Sequence, residues 1–241
     1  MKLLVRMVFV AGFLAASAQA FSFGFPSLPS LPDITAGSGG GEKADVEALA
    51  TRDGVLKLRV NKATVSLAKG VAEIQHAVGK AAEAEKLEAT LVEAQKNPSD
   101  VEQTKKLVSE VNNANDSLKN IDLNASMNKE EARKRLGKSL LYLGAGSLLD
   151  AQATLDAKNL ITDITNGIKA VKASPASYGL STISDLYSGL NTAKFVAETV
   201  PAQISTIAEL IRGLKKYAQT NKIEVPSKQE MEALSKDMEK E

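Results

Sequence analysis

The strongest constraint on the fold is an unbroken apolar repeat between residues 183 and 218. Apolar residues recur there at alternating steps of three and four, and all eleven positions of the series are apolar. They are Ile183, Leu186, Leu190, Ala193, Ala197, Val200, Ile204, Ile207, Ile211, Leu214 and Ala218. Because an α-helix has 3.6 residues per turn, the series occupies one helix face and predicts packing through that face. Periodicity this strict is typical of coiled coils.

The same predicted helix contains a proline away from its apolar face. We expect the helix to begin at Ser181 or Thr182. Pro201 has no backbone N–H, and in a regular helix its ring clashes with the carbonyl of Ala197. The sequence therefore predicts a kink or a break at Pro201.

A second, less regular repeat predicts one long helix from Glu42 to Lys96. The segment contains no proline, and most positions of its three-four series are apolar. Asp53, Gly70 and Glu88 are the exceptions. At a rise of 1.5 Å per residue such a helix is about 80 Å long, which exceeds the diameter of a compact domain. We therefore expect an elongated molecule.

Three further helices are predicted from capping boxes, in which an N-cap residue is followed three positions later by Glu. The pairs are Ser99 with Glu102, Asn128 with Glu131 and Ser227 with Glu230. The first two helices extend to about Lys119 and about Lys172, and the third is short and charged. Only the tight turn Asn97-Pro98 separates residues 42–96 from the next helix, so we expect these two to pack antiparallel.

The predicted fold is therefore all-α. It is an elongated antiparallel helical bundle of about four long helices, plus a short C-terminal helix, with a disordered N-terminal tail. The bundle covers residues 42–220, and residues 221–241 form a linker and the charged C-terminal helix. The absence of tryptophan and an aromatic content of 4% fit slender helices around a thin core.

The first twenty residues have the pattern of a secretory signal peptide. Lys2 and Arg6 precede the apolar run 8–16, and small residues lead to a cleavage site after Ala20. We expect an exported mature chain that begins at Phe21 and has no membrane anchor. Its 28 Lys and Arg residues against 29 Asp and Glu residues make it near neutral, without the basic excess that nucleic-acid binding requires.

The chain contains no cysteine. This excludes disulfides, thiol catalysis and a lipid-modified N-terminal cysteine. A cysteine-free exported chain of this size fits a bacterial periplasm or cell exterior. Phe21 directly after the cleavage site also resembles the plastid presequences of some algae, but the residues after it are not basic as in transit peptides.

Residues 21–41 combine phenylalanine, proline and glycine in a segment without helix or strand periodicity. The prolines at 26, 29 and 32 favour polyproline II, and a glycine-rich spacer follows at 37–41. Two interpretations remain: an idle disordered leader, or a docking motif with exposed apolar side chains. The docking candidates are Phe21, Phe23, Phe25, Leu28 and Leu31.

The third long helix begins with a basic run, 133–138, and continues with eleven uncharged residues, 139–149. This stretch is too short to cross a bilayer as a helix. It indicates either burial among neighbouring helices, with Gly144 and Gly146 allowing close approach, or insertion into a membrane after the bundle opens. The membrane-contact candidates are Arg133, Lys134, Arg135, Leu140, Leu141 and Leu143.

Two partial metal motifs are incomplete. Glu73 and His76 form one Glu-x-x-His, but di-iron proteins need two copies and His76 is the only histidine. Residues 122–128 resemble the first half of a calcium loop. Met127 and Arg133 stand where an EF-hand needs Gly and Glu. We expect no metal site and no cofactor.

Catalytic motifs are also missing from the sequence. Nothing assembles a nucleophile with a base, and no phosphate-binding glycine loop or zinc-protease motif occurs. We expect an exported non-enzymatic helical-bundle protein that acts by protein–protein interaction, as a periplasmic or surface scaffold or binding protein. The alternative is a membrane-active or lipid-binding protein that inserts residues 139–149. A protein partner is expected, and the coiled-coil face also permits a homo-oligomer.

Overall fold

The computed structural model describes residues 45–127, 130–178 and 181–240. Every regular element in these ranges is helical, so the prediction of an all-α chain is confirmed. The helices belong to one compact unit. The predicted signal peptide, 1–20, and the predicted tail, 21–41, lie outside the described residues.

Helix bounds follow the chain in order. They are α1 Val46–Ala77, α2 Ala81–Lys96, α3 Val101–Leu118, α4 Leu123–Ser126, α5 Glu131–Ala173, α6 Thr182–Thr220 and α7 Lys228–Lys240, with a 3₁₀ turn at Pro175–Ser177 between α5 and α6.

The prediction of one helix from Glu42 to Lys96 is wrong, because the chain turns between α1 and α2. Gly79 adopts φ +79°, the left-handed conformation that ends many helices. The Lys80 N–H donates to the Gln75 carbonyl at 2.8 Å, and the Gly79 N–H donates to the His76 carbonyl at 3.2 Å. These are the two hydrogen bonds of a Schellman motif, so the orphan carbonyls of α1 are satisfied locally.

Helix caps correct one predicted start and confirm another. Asp100, not Ser99, caps α3, because its carboxylate accepts from the Glu102 N–H at 2.9 Å. In α7 the predicted box is present: the Ser227 N–H donates to Glu230 at 2.7 Å, and the Glu230 N–H donates to Ser227 Oγ at 3.2 Å. The bond from the Ser227 backbone lowers the Glu230 pKa. Asn128 lies outside the described residues.

The most regular repeat forms α6, which continues through Pro201 from Thr182 to Thr220. Of the two predicted outcomes at Pro201, a kink or a break, the break is therefore wrong. Pro201 is exposed, so its ring and the missing hydrogen bond lie on the solvent side of the helix. Most of the predicted apolar face is buried, namely Leu186, Leu190, Ala193, Val200, Ile204, Ile207, Leu214 and Ala218.

Helices α1 and α5 pack closely and run in opposite directions. A Cβ added to Gly167 would lie 3.0 Å from Leu49 Cδ1, near the start of α1. A Cβ added to Gly70, near its end, would lie 2.6 Å from Leu143 Cγ. The start of α1 therefore packs against the end of α5 and the end of α1 against the start of α5, so the two helices are antiparallel. Glycine is required at Gly70 because a side chain there would overlap Leu143.

The buried apolar residues form two clusters. One joins the second half of α1 with α2, α3, the first turns of α5 and the last turns of α6. The other joins the first half of α1 with the later part of α5 and the earlier part of α6. Each of the three long helices passes from one cluster to the other, and polar residues lie at this transition.

Candidate functional site

A buried polar layer separates the two apolar clusters. In α1 it contains Asn61 and Thr64, in α5 it contains Asp150, and in α6 it contains Gln203, all buried. Gly189 lies against Ile164, where an added Cβ would be 3.2 Å from Ile164 Cδ1. A Cβ added to Gly167 would lie 3.8 Å from Leu186 Cδ1, so α5 and α6 run antiparallel there. Counting fourteen residues along each helix from the contact of Ile164 with Gly189 leads to Asp150 and Gln203. The two residues therefore lie at the same level of the helix pair.

Asp150 is the ionisable member of this polar layer. It is wholly buried, and within the described residues neither carboxyl oxygen has a hydrogen-bond partner. Burial raises the pKa of Asp150 well above its ordinary value, because the charged form loses its hydration. A carboxyl in this position holds its proton to a higher pH than an exposed aspartate does.

The neighbouring layer residues are unequally satisfied. Asn61 donates to the Ala94 carbonyl at 3.2 Å and to Thr104 Oγ1 at 3.0 Å, which ties α1 to α2 and α3. The side-chain amide of Gln203 has no partner for either polar atom in the part of the chain that the structure describes. Unpaired buried polar groups cost free energy, so this layer is a weak point of the core.

An ion-pair network borders the layer and holds α7. Arg59 pairs with Asp156 of α5 and, at 2.8 Å, with Glu239 of α7. Gln152 also donates to Asp156, at 3.2 Å. One arginine of α1 thus connects α5 to the last turn of α7.

Helix α7 covers the face of α5 that contains Gly144. An added Cβ at Gly144 would overlap the Sδ of Met231, so the Met231 side chain occupies the space that a side chain at Gly144 would need. Ser235 is the one fully buried residue described in α7, and its apolar residues Met231, Leu234 and Met238 are only half-buried. The cover therefore buries little apolar surface of its own.

The uncharged segment 139–149 is enclosed. Nine of its residues are buried, and Leu141 and Tyr142 are half-buried. Of the predicted membrane-contact residues, Arg133 and Lys134 are exposed and Arg135 is half-buried, whereas Leu140 and Leu143 are at most 1% exposed. Contact of these two leucines with a membrane would require the helices to separate.

A basic surface lies beside this segment, where α1 and α5 meet. We define the Tyr142 surface by the following residues: Lys69, Lys134, Arg135, Lys138 and Tyr142. The ammonium groups of Lys69 and Lys138 lie 5.7 Å and 6.0 Å from the Tyr142 ring centroid. Glu73 pairs with Arg135 at 2.8 Å and with Lys138, and the bond to Glu73 raises the Lys138 pKa. An open cleft of about 570 Å³ lies among Lys134, Arg135, Lys138, Glu73 and Glu130.

The structure assigns separate partners to the residues of the two partial metal motifs. Glu73 belongs to the ion pairs above, whereas His76 Nε2 lies 3.1 Å from Glu88 Oε1. Asp122 caps the short helix α4 by accepting from the Asn124 N–H at 2.9 Å. Within residues 45–127, 130–178 and 181–240, no three potential ligands among His, Asp and Glu form a metal-sized group.

Among the helices of the described residues, none has both the length and the apolar character that a membrane span requires. The docking candidates Phe21, Phe23, Phe25, Leu28 and Leu31 lie outside the described residues.

Sequence reasoning missed Asp150, Gln203 and the pairing of Lys69 with Tyr142. A signal for Asp150 was present, because it follows the uncharged segment directly and continues the buried three-four series of Leu143 and Gly146. Gln203 directly precedes Ile204 but is not itself a position of the three-four apolar series, so the series did not indicate its burial. Comparisons with protein-family models, curated proteins and solved structures found no match to this chain.

Proposed function

We propose that this chain is an exported, non-enzymatic protein that acts by binding a protein partner. It works in a bacterial periplasm or at a cell surface, with the helices as an elongated antiparallel bundle and the 21–41 segment as the docking element. Helix α5 supports an elongated body, because its 43 residues correspond to about 65 Å. The signal-peptide pattern of residues 1–20 supports export.

The observation that carries this proposal is the use of apolar surface in the helices. Among the described residues, the large apolar side chains that are well exposed are Val92, Leu155 and Tyr187, at 48%, 57% and 42%. They lie on three different helices, so no helix presents two of these exposed side chains as a patch. The helical body therefore uses its apolar faces for its own packing. The sequence concentrates three of its six phenylalanines in residues 21–25, which favours this segment as the contact with a partner.

A crosslinking experiment in the exporting cell tests the docking segment. Phe21, Phe23 and Phe25 are changed together to Ser, and the control changes Ser22, Ser27 and Ser30 together to Ala. We expect the phenylalanine variant to lose the main crosslinked envelope protein, because the apolar anchors are gone. The serine variant should keep it. Equal crosslinking by both variants would contradict docking through this segment.

Export is tested separately by N-terminal sequencing of the protein recovered from the cell envelope or medium. We expect the sequence to begin at Phe21. Recovery of a chain that begins at Met1 would contradict the signal peptide.

A second candidate function is membrane insertion of residues 139–149. The specific observation in its favour is the weak cover: α7 lies over Gly144 and contributes only half-buried apolar side chains. Release of α7 would uncover one face of an uncharged segment that follows the basic residues Arg133 and Lys134. A basic stretch next to apolar surface is a common feature of membrane-binding helices.

The variant Gly144→Val tests insertion, because its side chain needs the space of Met231 and forces this contact of α7 to rearrange. The matched control is Gly213→Val in α6, where an added Cβ meets nothing within 4 Å. We expect Gly144→Val to increase leakage from vesicles of anionic lipid, while Gly213→Val behaves as the parent. If Gly144→Val remains helical and causes no leakage, residues 139–149 do not insert.

A further inference from the structure

We infer that the Tyr142 surface is a docking site for the headgroups of an anionic phospholipid membrane, used by the closed molecule without insertion of any helix. Such docking goes beyond the membrane insertion proposed above as the second candidate and does not depend on it. It differs from that function because the nine buried residues of the segment 139–149 stay in the core and α7 stays in place.

The placement of the cations supports this assignment. Lys134, Lys138 and Tyr142 are spaced four residues apart, so they share one edge of α5. Lys69 reaches the same ring from α1, and the Ser66 hydroxyl donates to the Tyr142 carbonyl at 2.8 Å. The edge of α5 and the facing edge of α1 therefore form one continuous surface.

The charge of this surface is positive. Its four cations, Lys69, Lys134, Arg135 and Lys138, face two carboxylates, Glu73 and Glu130. Glu73 lies at the base of the cleft, with 13% of its side chain exposed, whereas 56% of the Lys138 side chain is exposed. Glu73 thus orients Arg135 and Lys138 from below, whereas Lys134, Lys138 and Glu130 are exposed at the surface.

The arrangement fits a lipid surface better than an isolated phosphate ion. A site for a free anion encloses its ligand with converging donors, whereas the cleft here is open and has Glu73 at its base. A membrane surface meets the exposed Lys134 and Lys138 together with Glu130, and Glu73 lies below them. Tyr142, with an apolar ring and a polar hydroxyl between two lysine stems, is the type of side chain that favours the membrane–water interface.

Vesicle flotation of the mature chain, residues 21–241, tests the site. Vesicles of phosphatidylcholine with added phosphatidylglycerol are compared with vesicles of phosphatidylcholine alone. The test variant is Lys69→Gln with Lys138→Gln. The matched control is Lys194→Gln with Lys216→Gln, two exposed lysines of α6 that lower the net charge equally.

We expect the parent to bind only the anionic vesicles and to be released by salt. Each lysine near an anionic surface contributes roughly fivefold in affinity, so the test variant should lose at least about tenfold. The α6 control should lose clearly less affinity for the anionic vesicles than the test variant does. Lys69→Arg with Lys138→Arg should keep binding, because the charges remain.

Four results would overturn the inference. Equal losses of vesicle affinity in the test and control variants would show that only net charge matters. Binding of the parent to neutral vesicles but not to anionic vesicles would exclude recognition of anionic headgroups. Micromolar binding of inorganic phosphate, measured by calorimetry, would assign the site to a free anion. The variant Gly144→Val distinguishes this inference from insertion. If the parent binds vesicles and Gly144→Val causes no leakage, docking is supported and insertion is rejected. If neither the parent nor Gly144→Val binds vesicles, docking and insertion are both rejected.

Discussion

Asp150 is the residue whose chemistry differs most from its surroundings. It follows the uncharged segment 139–149 and lies wholly buried between two apolar clusters, with no partner for its carboxyl oxygens among the described residues. The sign of its effect on stability follows from its pKa. Burial raises the pKa in the folded state, whereas the unfolded state keeps a value near 3.8. The unfolded state therefore releases the proton more readily, and stability falls as pH rises above about 3.8.

The variant Asp150→Asn should remove this pH dependence, because an amide keeps the shape of the side chain but does not ionise. We expect it to raise the free energy of unfolding at pH 7 by at least about 1 kcal/mol. Near pH 4 the gain should be smaller, since the carboxyl is then partly protonated in the unfolded state as well. Urea unfolding of parent and variant between pH 4 and pH 8 measures the difference. Parallel pH profiles for the two proteins would show that Asp150 is not held neutral in the fold.

At the scale of elements, glycine and proline decide where helices end and where they continue. Gly79 ends α1 because its positive φ allows the Schellman hydrogen bonds to Gln75 and His76. Pro201 does not end α6, because it lies on the exposed side of a helix whose other face is buried along its length. Packing of the buried face outweighs the missing hydrogen bond of one proline.

Gly79→Ala should destabilise the protein by about 1 kcal/mol, because alanine adopts positive φ poorly. The matched change Gly213→Ala, in an open position within α6, should stabilise by up to about 1 kcal/mol through its higher helix propensity. Urea denaturation of the two variants measures both shifts. Stabilisation by Gly79→Ala would indicate that α1 and α2 join into one helix in solution.

Pro201→Ala should stabilise α6 by about 1 kcal/mol or more, because it restores the donor to Ala197 and removes the ring clash. The gain is reduced by the greater freedom of the unfolded chain without proline. Thermal unfolding followed by circular dichroism tests the expectation. A lower melting temperature for the variant would mean that the helix depends on the geometry that Pro201 imposes.

At the scale of the whole molecule, the helices form one compact unit that buries its apolar seams internally. The two clusters meet at the polar layer, which the long helices α1, α5 and α6 all cross. Helix α7 adds a cover that is held by the Arg59 network and the Gly144 contact. Neither apolar cluster includes a described residue of α7, so this helix lies outside the two main seams.

Deletion of residues 21–41 from the mature chain should change the free energy of unfolding by less than about 1 kcal/mol. The reason lies in the sequence: the glycine-rich spacer uncouples the phenylalanines and prolines from the helices. Chemical denaturation of the full mature chain and the deletion variant measures the change. A loss of several kcal/mol would place the phenylalanines in the core and contradict a docking role.

Much of the local structure was predictable from the sequence, because helix periodicity and capping depend on residues a few positions apart. The apolar series of 183–218 predicts α6 and its buried face, and the pair Ser227 and Glu230 predicts the start of α7. Gly79 also carried a local signal, but the apolar series on both sides of it favoured one continuous helix.

Only the tertiary structure decided which faces meet and which polar groups become buried. Lys69 and Tyr142 are distant in sequence, and they form one surface because α1 and α5 pack antiparallel. Asp150 ends an uncharged stretch in the sequence, where a charged residue normally indicates solvent. It is buried because α1, α6 and α7 each pack along α5, and the free energy gained by that packing exceeds the cost of desolvating one carboxyl. Periodicity is a local property of the chain, whereas the neighbours of each face depend on contacts between residues that only folding brings together.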